Sequence, residues 1–533
     1  MFLKNIFTSI GLSLLILSPP LLERIDAGNA YLTFNIKNSF IAPHLQGIGI
    51  LSILILLLVA VTNKYLTRSR VTVTLICASL GLFMFRGFFS AAAISPQTLA
   101  GTLQQQMVLW GVLPQQYSAT SFRLLGAIAI LLVAIFLLTK YKPSRRLAYS
   151  AAAFGWTLGV ITLIRIAPIV EADSTFAATR NDVFQSTEVV KPQRRVVWVI
   201  FDEFDYDVFF ARRNPALSMP NLDRLSQISI HAENAVSPAD ATLISIPSLI
   251  VGSSLAETKG ESAGRLRVHE QSGTSGIIWQ EMSTVFSRLK EQNKTVSILG
   301  FYHPYCNVFP FAQPCESLPM FHYPGWWWGY LQALRILPGI DYLVKKHHLN
   351  GGAFNDVFRR HLELLPIHLA ATNAALSFFH FNVPHPPGGR MNATQGSPSD
   401  KLLGYEENGL AVDHITGLIL DQLEAQSKSQ ETLLIISTDH WLRLQGRVGD
   451  EPNDLYVAEF GTPRPDIRKI PLLIHRIGER SASTVSQPIN TVHTSSLVLD
   501  FLSGKVTSQA SIVSWWSNKS YVEPVISGRR SAI

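Results

Sequence analysis

Val196-Val197-Trp198-Val199-Ile200-Phe201-Asp202-Glu203 is an apolar run, rich in β-branched and aromatic side chains, that stops abruptly at two carboxylates. Its length and composition predict a β-strand. Its end predicts chemistry, because acidic groups at the mouth of a sheet bind hard or borderline cations. A second run of the same kind, Leu433-Leu434-Ile435-Ile436-Ser437, leads into Thr438-Asp439-His440. Between them, Asp240-Ala241-Thr242-Leu243-Ile244-Ser245-Ile246-Pro247 places hydroxyls ahead of a helix start marked by its proline. Each segment alone reads more simply as a strand end or an N-cap threonine. Together they supply the oxygen and nitrogen donors of a divalent-metal group-transfer site, which makes the chain a candidate enzyme.

Further strand-length runs occur at Thr295–Leu299, Leu376–Phe381 and Pro471–His475. Helical patterns fall between the runs, at Leu222–Gln227, Met282–Gln292, Ala353–Leu365 and Leu410–Ala425. This alternation predicts an α/β layer with a largely parallel central sheet, in which ligand chemistry gathers at the carboxyl ends of the strands. Asp202, His380 and Asp439-His440 all lie at such ends.

The 533 residues are 47% hydrophobic, and the apolar excess is concentrated in the first 170. Five runs there approach the roughly 20 residues that cross a bilayer: Ile6–Leu22, Leu45–Thr62, Val71–Ala92, Phe122–Thr139 and Ala148–Val170. The first has an alternative reading as a cleaved signal sequence, against which stand its long apolar core and a poor cleavage site at 27–30. Lys4, then Lys64, Arg68 and Arg70, then Lys140, Lys142, Arg145 and Arg146 occupy alternate loops, whereas loops 23–44 and 93–121 carry only Arg24 and Lys37. By the positive-inside rule the basic loops are cytoplasmic, so five spans deliver the rest of the chain outside a bacterial-type cytoplasmic membrane. The expected organisation is a five-span α-helical membrane domain (1–170), a polar linker (171–194) and an exported α/β domain (195–533). Arg86 and Arg165 fall in or near spans, where charge is expensive and often functional.

The net charge of +7 is partly accounted for by these loops, and no basic-aromatic stripe points to nucleic acid. Of the three cysteines, Cys77 lies within a predicted span, while Cys306 and Cys315 fall in the exported part, where an oxidising compartment favours a disulfide. Tyr323-Pro324-Gly325-Trp326-Trp327-Trp328-Gly329-Tyr330, followed by an apolar run and Lys345-Lys346, reads either as a membrane-surface segment or as a buried helix.

Residues 195–505 resemble the sulfatase-like branch of the alkaline phosphatase superfamily. The resemblance is carried by the opening strand to Asp202, by Met219-Pro220-Asn221-Leu222-Asp223-Arg224-Leu225 and by Pro384-His385-Pro386-Pro387. Thr438-Asp439-His440 and Ile470-Pro471-Leu472-Leu473-Ile474 complete it. In sulfatases the nucleophile is a Cys or Ser in a C/S-x-P-S-R pattern. Ser245-Ile246-Pro247-Ser248 imitates its start, but Leu249 stands where the arginine belongs. Counting back ten residues from Gly252, as the sulfatase motif requires, reaches Thr242. Thr-x-x-Ser-x-Pro is similar to the threonine motif of membrane phosphoethanolamine transferases, and lipoteichoic acid synthases also use a threonine. Both groups place five spans before an exported catalytic domain.

The resemblance therefore implies Asp202, Glu203, Thr242, Asp439 and His440 as ligands of a divalent metal, zinc or manganese, with Thr242 also the nucleophile. Glu203 is the less certain ligand, because the threonine enzymes usually use one acidic residue there. His385 and His303 are expected at the transferred group or the leaving group, with His380 and His493 weaker candidates. The expected function is transfer of a phospho-alcohol head group, of phosphoethanolamine or phosphoglycerol type, from a membrane lipid to a lipid or glycan acceptor through a phospho-threonine. The alternative is a phosphodiesterase or sulfuric ester hydrolase with water as acceptor. A non-catalytic scaffold or sensor is a third reading, disfavoured by the near-complete ligand set. One departure from the transferases is Trp441, which replaces the glycine of their Asp-His-Gly motif.

Overall fold

The computed structural model describes residues 2–24, 30–32, 45–53, 55–57, 149–167, 191–262, 264–270, 276–319, 352–385, 398–427, 430–442 and 468–526. These form two compact units. One holds the described residues up to 24 and from 45 to 167; the other holds residues 30–32 and everything described from 191 onward.

In the first unit, helix α1 (Phe2–Arg24) covers the first expected span, and residues 45–53 and 55–57 of the second are helical. Helix α2 (Tyr149–Ala167) covers most of the fifth and is, among the described residues, the one helix long and apolar enough to cross a membrane by length and composition. Phe154, Val160, Ile161, Leu163 and Ile164 of α2 are exposed, an apolar outward face of the kind that lipid covers. Arg165 is exposed near its end. Helices α1 and α2 cross at small residues: a Cβ on Gly155 would lie 1.7 Å from the Gly11 carbonyl oxygen. Trp156 stacks on Phe7 with centroids 5.2 Å apart and donates its indole N–H to the Phe7 carbonyl (3.0 Å). Close approach through glycine is how helices associate where hydrophobic burial gives no advantage. The expected spans Val71–Ala92 and Phe122–Thr139, together with Cys77, Arg86 and the Tyr323–Tyr330 stretch, lie outside the described residues.

The second unit is built on an eight-stranded sheet of order β13-β2-β12-β10-β1-β9-β7-β8. Its strands are β1 (Arg194–Asp202), β2 (Ile230–Ala232), β7 (Thr295–Phe301), β8 (Cys315–Leu318), β9 (Ala374–Pro384), β10 (Glu431–Thr438), β12 (Leu473–Arg476) and β13 (Ser483–Val485). All run parallel except β12, which is antiparallel to both its neighbours. The expectation of a largely parallel α/β sheet holds. There are also two three-stranded sheets: β11 (Lys469–Ile470), β3 (Ala235–Val236) and β14 (Ile489–Asn490) in one, and β4 (Leu255–Ser262), β5 (Arg265–Glu270) and β6 (Ile277–Ile278) in the other.

Strand β1 sits centrally between β9 and β10, and its alternation explains the unbroken apolar run. Val196, Trp198 and Ile200 enter one core, while Val197, Val199 and Phe201 enter the core on the opposite face. On β10, Leu433 and Ile435 join the first core, and Leu434 and Ile436 the second. Neither face meets water, so neither strand needs a polar residue before its end.

Helix α3 (Pro220–Ser226) gives the Pro-Asn-Leu-Asp-Arg-Leu motif a structural meaning. Pro220 opens it, yet Met219 provides no side-chain cap. Asp413 of the long helix α4 (Pro398–Gln426) caps it instead, accepting the backbone N–H groups of Asn221 (2.9 Å) and Leu222 (2.8 Å) and the Asn221 amide (2.9 Å).

Candidate active site

Asp202 ends β1 where the pairing with β9 slips register. The next residue, Glu203, has φ of 60°, a left-handed conformation that costs a non-glycine residue of order 1 kcal/mol. It is held there by its neighbours. The Glu203 N–H donates to Asp439 Oδ1 (3.2 Å), the Phe204 N–H donates to Thr438 Oγ1 (2.9 Å), and the Tyr405 hydroxyl donates to the Glu203 carbonyl. The chain turns sharply after the strand and leaves Asp202 at its lip.

Asp439 follows β10 and is fully buried. Its Oδ1 accepts the N–H groups of Glu203 and His440 (3.2 and 2.8 Å). Its Oδ2 is buried with no hydrogen-bond donor and lies 3.4 Å from His440 Nε2. His440 Nδ1 is 2.9 Å from the Trp441 carbonyl. A carbonyl only accepts, so Nδ1 carries the proton and Nε2 presents a lone pair. That lone pair has Thr242 Oγ1 at 3.2 Å, Asp439 Oδ2 at 3.4 Å and Asp202 Oδ1 at 3.8 Å. One ligand atom each from Asp202, Asp439 and His440 fits within 4.8 Å of the others, and all three residues are buried.

This donor set fits a divalent cation. Two buried carboxylates, an imidazole lone pair and a hydroxyl converge, and Asp439 Oδ2 is a buried anionic atom that no N–H satisfies. Leaving such an atom unpaired is costly, and a bound cation removes the cost.

The hydroxyl at this point is Thr242. It is the first residue of helix α5 (Thr242–Val251), whose N-cap is Ala241 with no side-chain cap bond, so Thr242 is not a capping residue. Pro247 lies inside this helix rather than marking its start, which corrects the expected boundary. Ser245, one turn on, is fully buried and donates its hydroxyl to the Asp439 carbonyl, away from His440 Nε2. The helix closes at Gly252, whose φ of 84° and N–H bond to Ser248 (2.8 Å) form a left-handed C-cap.

Glu203 falls outside the converging trio. Its carboxylate is 4.0 Å from His440 Nδ1, the protonated nitrogen, and 3.8 Å from Nε2 of the half-buried His385. His303 lies behind Thr242 with Nε2 3.2 Å from the Thr242 carbonyl, and burial pushes its pKa down to about 3. His380 is buried on β9, its Nδ1 2.8 Å from the Tyr305 hydroxyl, and burial likewise pushes it down to about 3. His475 bonds to Ile228 and Gln509 (2.9 and 3.2 Å), and His493 to the Ser520 carbonyl (3.0 Å), so both brace the fold elsewhere. Trp441 turns its ring into the hydrophobic core.

Sequence reading missed Thr438, Tyr405, Tyr305 and Tyr31 as supports of the site. Tyr305 had a signal, since it follows His303 within a proline turn. Tyr31 had none, because its hydroxyl meets His303 Nδ1 (2.8 Å) across 272 residues of sequence. Cys306 and Cys315 form the expected disulfide, which closes the loop carrying Tyr305 onto β8.

Residues 194–504 match the family model described as Sulfatase. No curated protein matches the chain. Similar solved structures include the C-terminal periplasmic domain of a phosphoethanolamine transferase from Campylobacter jejuni, with 12% identity, TM-score 0.37, and coverage of 58% of this chain and 90% of that one. A lipoteichoic acid synthase from Listeria monocytogenes shows 13% identity, TM-score 0.39, and coverage of 61% and 78%. A phosphonate monoester hydrolase from Silicibacter pomeroyi shows 12% identity, TM-score 0.38, and coverage of 58% and 73%. With the family model covering more than half of its length, and the aspartate, threonine and Asp-His motifs meeting at one point, the chain belongs to the sulfatase family of enzymes.

Proposed function

We propose that this protein is a membrane-bound, metal-dependent transferase that moves a phospho-alcohol head group from a phospholipid to an envelope acceptor by way of Thr242. The observation that carries the reading is the placement of Thr242 Oγ1, and not Ser245, against His440 Nε2. Asp202, Asp439, His440 and Thr242 would hold the metal, for which zinc or manganese suits the mixed oxygen and nitrogen donors. When bound, such an ion lowers the pKa of a coordinated hydroxyl and offsets charge on the phosphoryl oxygens.

Thr242 Oγ1 gives up its proton to solvent and attacks phosphorus. The new Oγ1–P bond forms as the bond from phosphorus to the glyceride oxygen breaks. The leaving alkoxide takes a proton from His385, which Glu203 orients across 3.8 Å. In the second half an acceptor hydroxyl, on a lipid or glycan, loses its proton to His385 and attacks the phospho-threonine, and Thr242 takes a proton back from solvent as the Oγ1–P bond breaks. Helix α5 directs its positive end at the phosphate. The five-span membrane domain, with the catalytic domain on the outer side, keeps the enzyme at its lipid substrate.

The test uses the full chain in vesicles of phosphatidylethanolamine or phosphatidylglycerol labelled in the head group, with zinc or manganese. The expected result is label on an added glycolipid or oligosaccharide acceptor, abolished in Thr242→Ala. Label released only as the free phospho-alcohol would instead support the hydrolase, and undiminished transfer by Thr242→Ala would remove the threonine mechanism.

A further inference from the structure

Residues 30–32 lie in the loop between the first two apolar segments, yet they form a short helical turn packed against β4 of the catalytic unit. Tyr31 and Leu32 are buried in its main hydrophobic core. We propose that Tyr31 is a positioning residue of the active site, whose hydroxyl holds the ring of His303 in place and through it the backbone of Thr242. The proposal deepens the reading of Thr242 as nucleophile and rests on it.

The argument is one of donors and acceptors. His303 is fully buried among the rings of Tyr31, Trp279, Tyr302 and Tyr305, where a charged imidazole is costly, so it owns one N–H and one lone pair. Its Nε2 lies 3.2 Å from the Thr242 carbonyl, which can only accept, so the proton must sit on Nε2. Its Nδ1 must then accept, and the atom beside it is the Tyr31 hydroxyl at 2.8 Å. Burial raises the Tyr31 pKa well above its ordinary value, so the phenol keeps its proton and donates. The chain runs one way, from Tyr31 O–H to His303 Nδ1 and from His303 Nε2–H to the Thr242 carbonyl.

That carbonyl belongs to the first residue of α5, so the bond anchors the backbone from which the Thr242 side chain extends. The preceding residue on the other side of the bond, Tyr302, has φ of 72°, so His303 is held by a turn that ordinary side chains seldom adopt. Without the phenol, Nδ1 would be a buried acceptor with no donor. The ring would then lose the contact that fixes its plane, and any rotation weakens the bond to the Thr242 carbonyl.

The test compares Tyr31→Phe, Leu32→Ala, His303→Gln and the double variant Tyr31→Phe/His303→Gln in the full chain. Turnover is measured on bis(p-nitrophenyl) phosphate, with Thr242→Ala as the reference for the nucleophile. Tyr31→Phe is expected to lower kcat roughly tenfold, the rate equivalent of one lost buried hydrogen bond, with KM unchanged within about twofold. Leu32→Ala loosens the same turn and keeps the phenol, so it should lower the melting temperature and leave kcat near wild type. A glutamine at 303 has no ring for the phenol to hold, so adding Tyr31→Phe to His303→Gln should cost no further kcat. Equal kcat losses in Leu32→Ala and Tyr31→Phe, fully additive losses in the double variant, or a loss confined to KM would each overturn the proposal. If Thr242→Ala itself turns over normally, the nucleophile reading fails, which is a separate outcome from a silent Tyr31→Phe.

Discussion

Two hydroxyls one helical turn apart have opposite fates at this site. Thr242 offers Oγ1 to His440 Nε2, while Ser245 spends its proton on the Asp439 carbonyl. Ser245→Ala should therefore cost about 1 kcal/mol of stability in denaturant titrations and keep most turnover, whereas Thr242→Ala should abolish turnover. Asp439 makes a second residue-scale prediction. Its donor-less Oδ2 is the atom that a cation would satisfy. Adding zinc or manganese to chelator-treated protein should raise its melting temperature, by the equivalent of about 2.7 kcal/mol at a hundredfold excess over Kd. Asp439→Asn should erase that rise. Sequence reading reached Asp202, Thr242, Asp439 and His440 because each sits at an element boundary with a recognisable neighbour. It could not see that Glu203 faces the protonated nitrogen of His440, since this depends on a left-handed turn.

At the scale of elements, the family motifs act largely as joinery. The Pro-Asn-Leu-Asp-Arg-Leu helix lacks a local cap and takes Asp413 instead, so Asp413→Ala strands two backbone donors. A loss of about 1–2 kcal/mol is expected in chemical denaturation, without a direct effect on metal affinity. Gly252 closes α5 in the left-handed region, and a Cβ there would lie 2.3 Å from Ser495 Oγ. Gly252→Ala should cost more than about 1 kcal/mol and disturb the helix that presents Thr242. The central strands β1, β7, β9 and β10 were legible as apolar runs because both faces are buried. The short strands β2, β8 and β13 were not, since three or four residues carry no period. The antiparallel direction of β12 was equally hidden, because direction is set by connections rather than by composition.

At the scale of the molecule, the catalytic unit buries imidazoles that ordinary unfolded chains would protonate. His303, His361 and His380 are all pushed down to about 3 by burial. In the unfolded chain each titrates near 6.5, so as pH falls below 6.5 the unfolded state takes up protons that the folded domain refuses until about 3. Stability present above 6.5 is lost on acidification, by roughly 4 kcal/mol between pH 7.5 and 5.5 if all three contribute fully. Denaturant titrations at the two values should show it, and His361→Gln, away from the converging ligands, should remove about a third of the slope. Sequence hydropathy divided the chain near residue 170, but residues 30–32 pack with the catalytic unit, a contact that hydropathy has no means of registering.

The central claim is that Thr242 carries the transferred group. Full-length protein is incubated with zinc and head-group-labelled phosphatidylethanolamine, quenched in acid, digested and sequenced by tandem mass spectrometry. The expected result is a phosphoethanolamine mass increment on Thr242, absent from Thr242→Ala and retained in Ser245→Ala. An increment on Ser245, or turnover that proceeds with no modified threonine at any time point, would contradict the account.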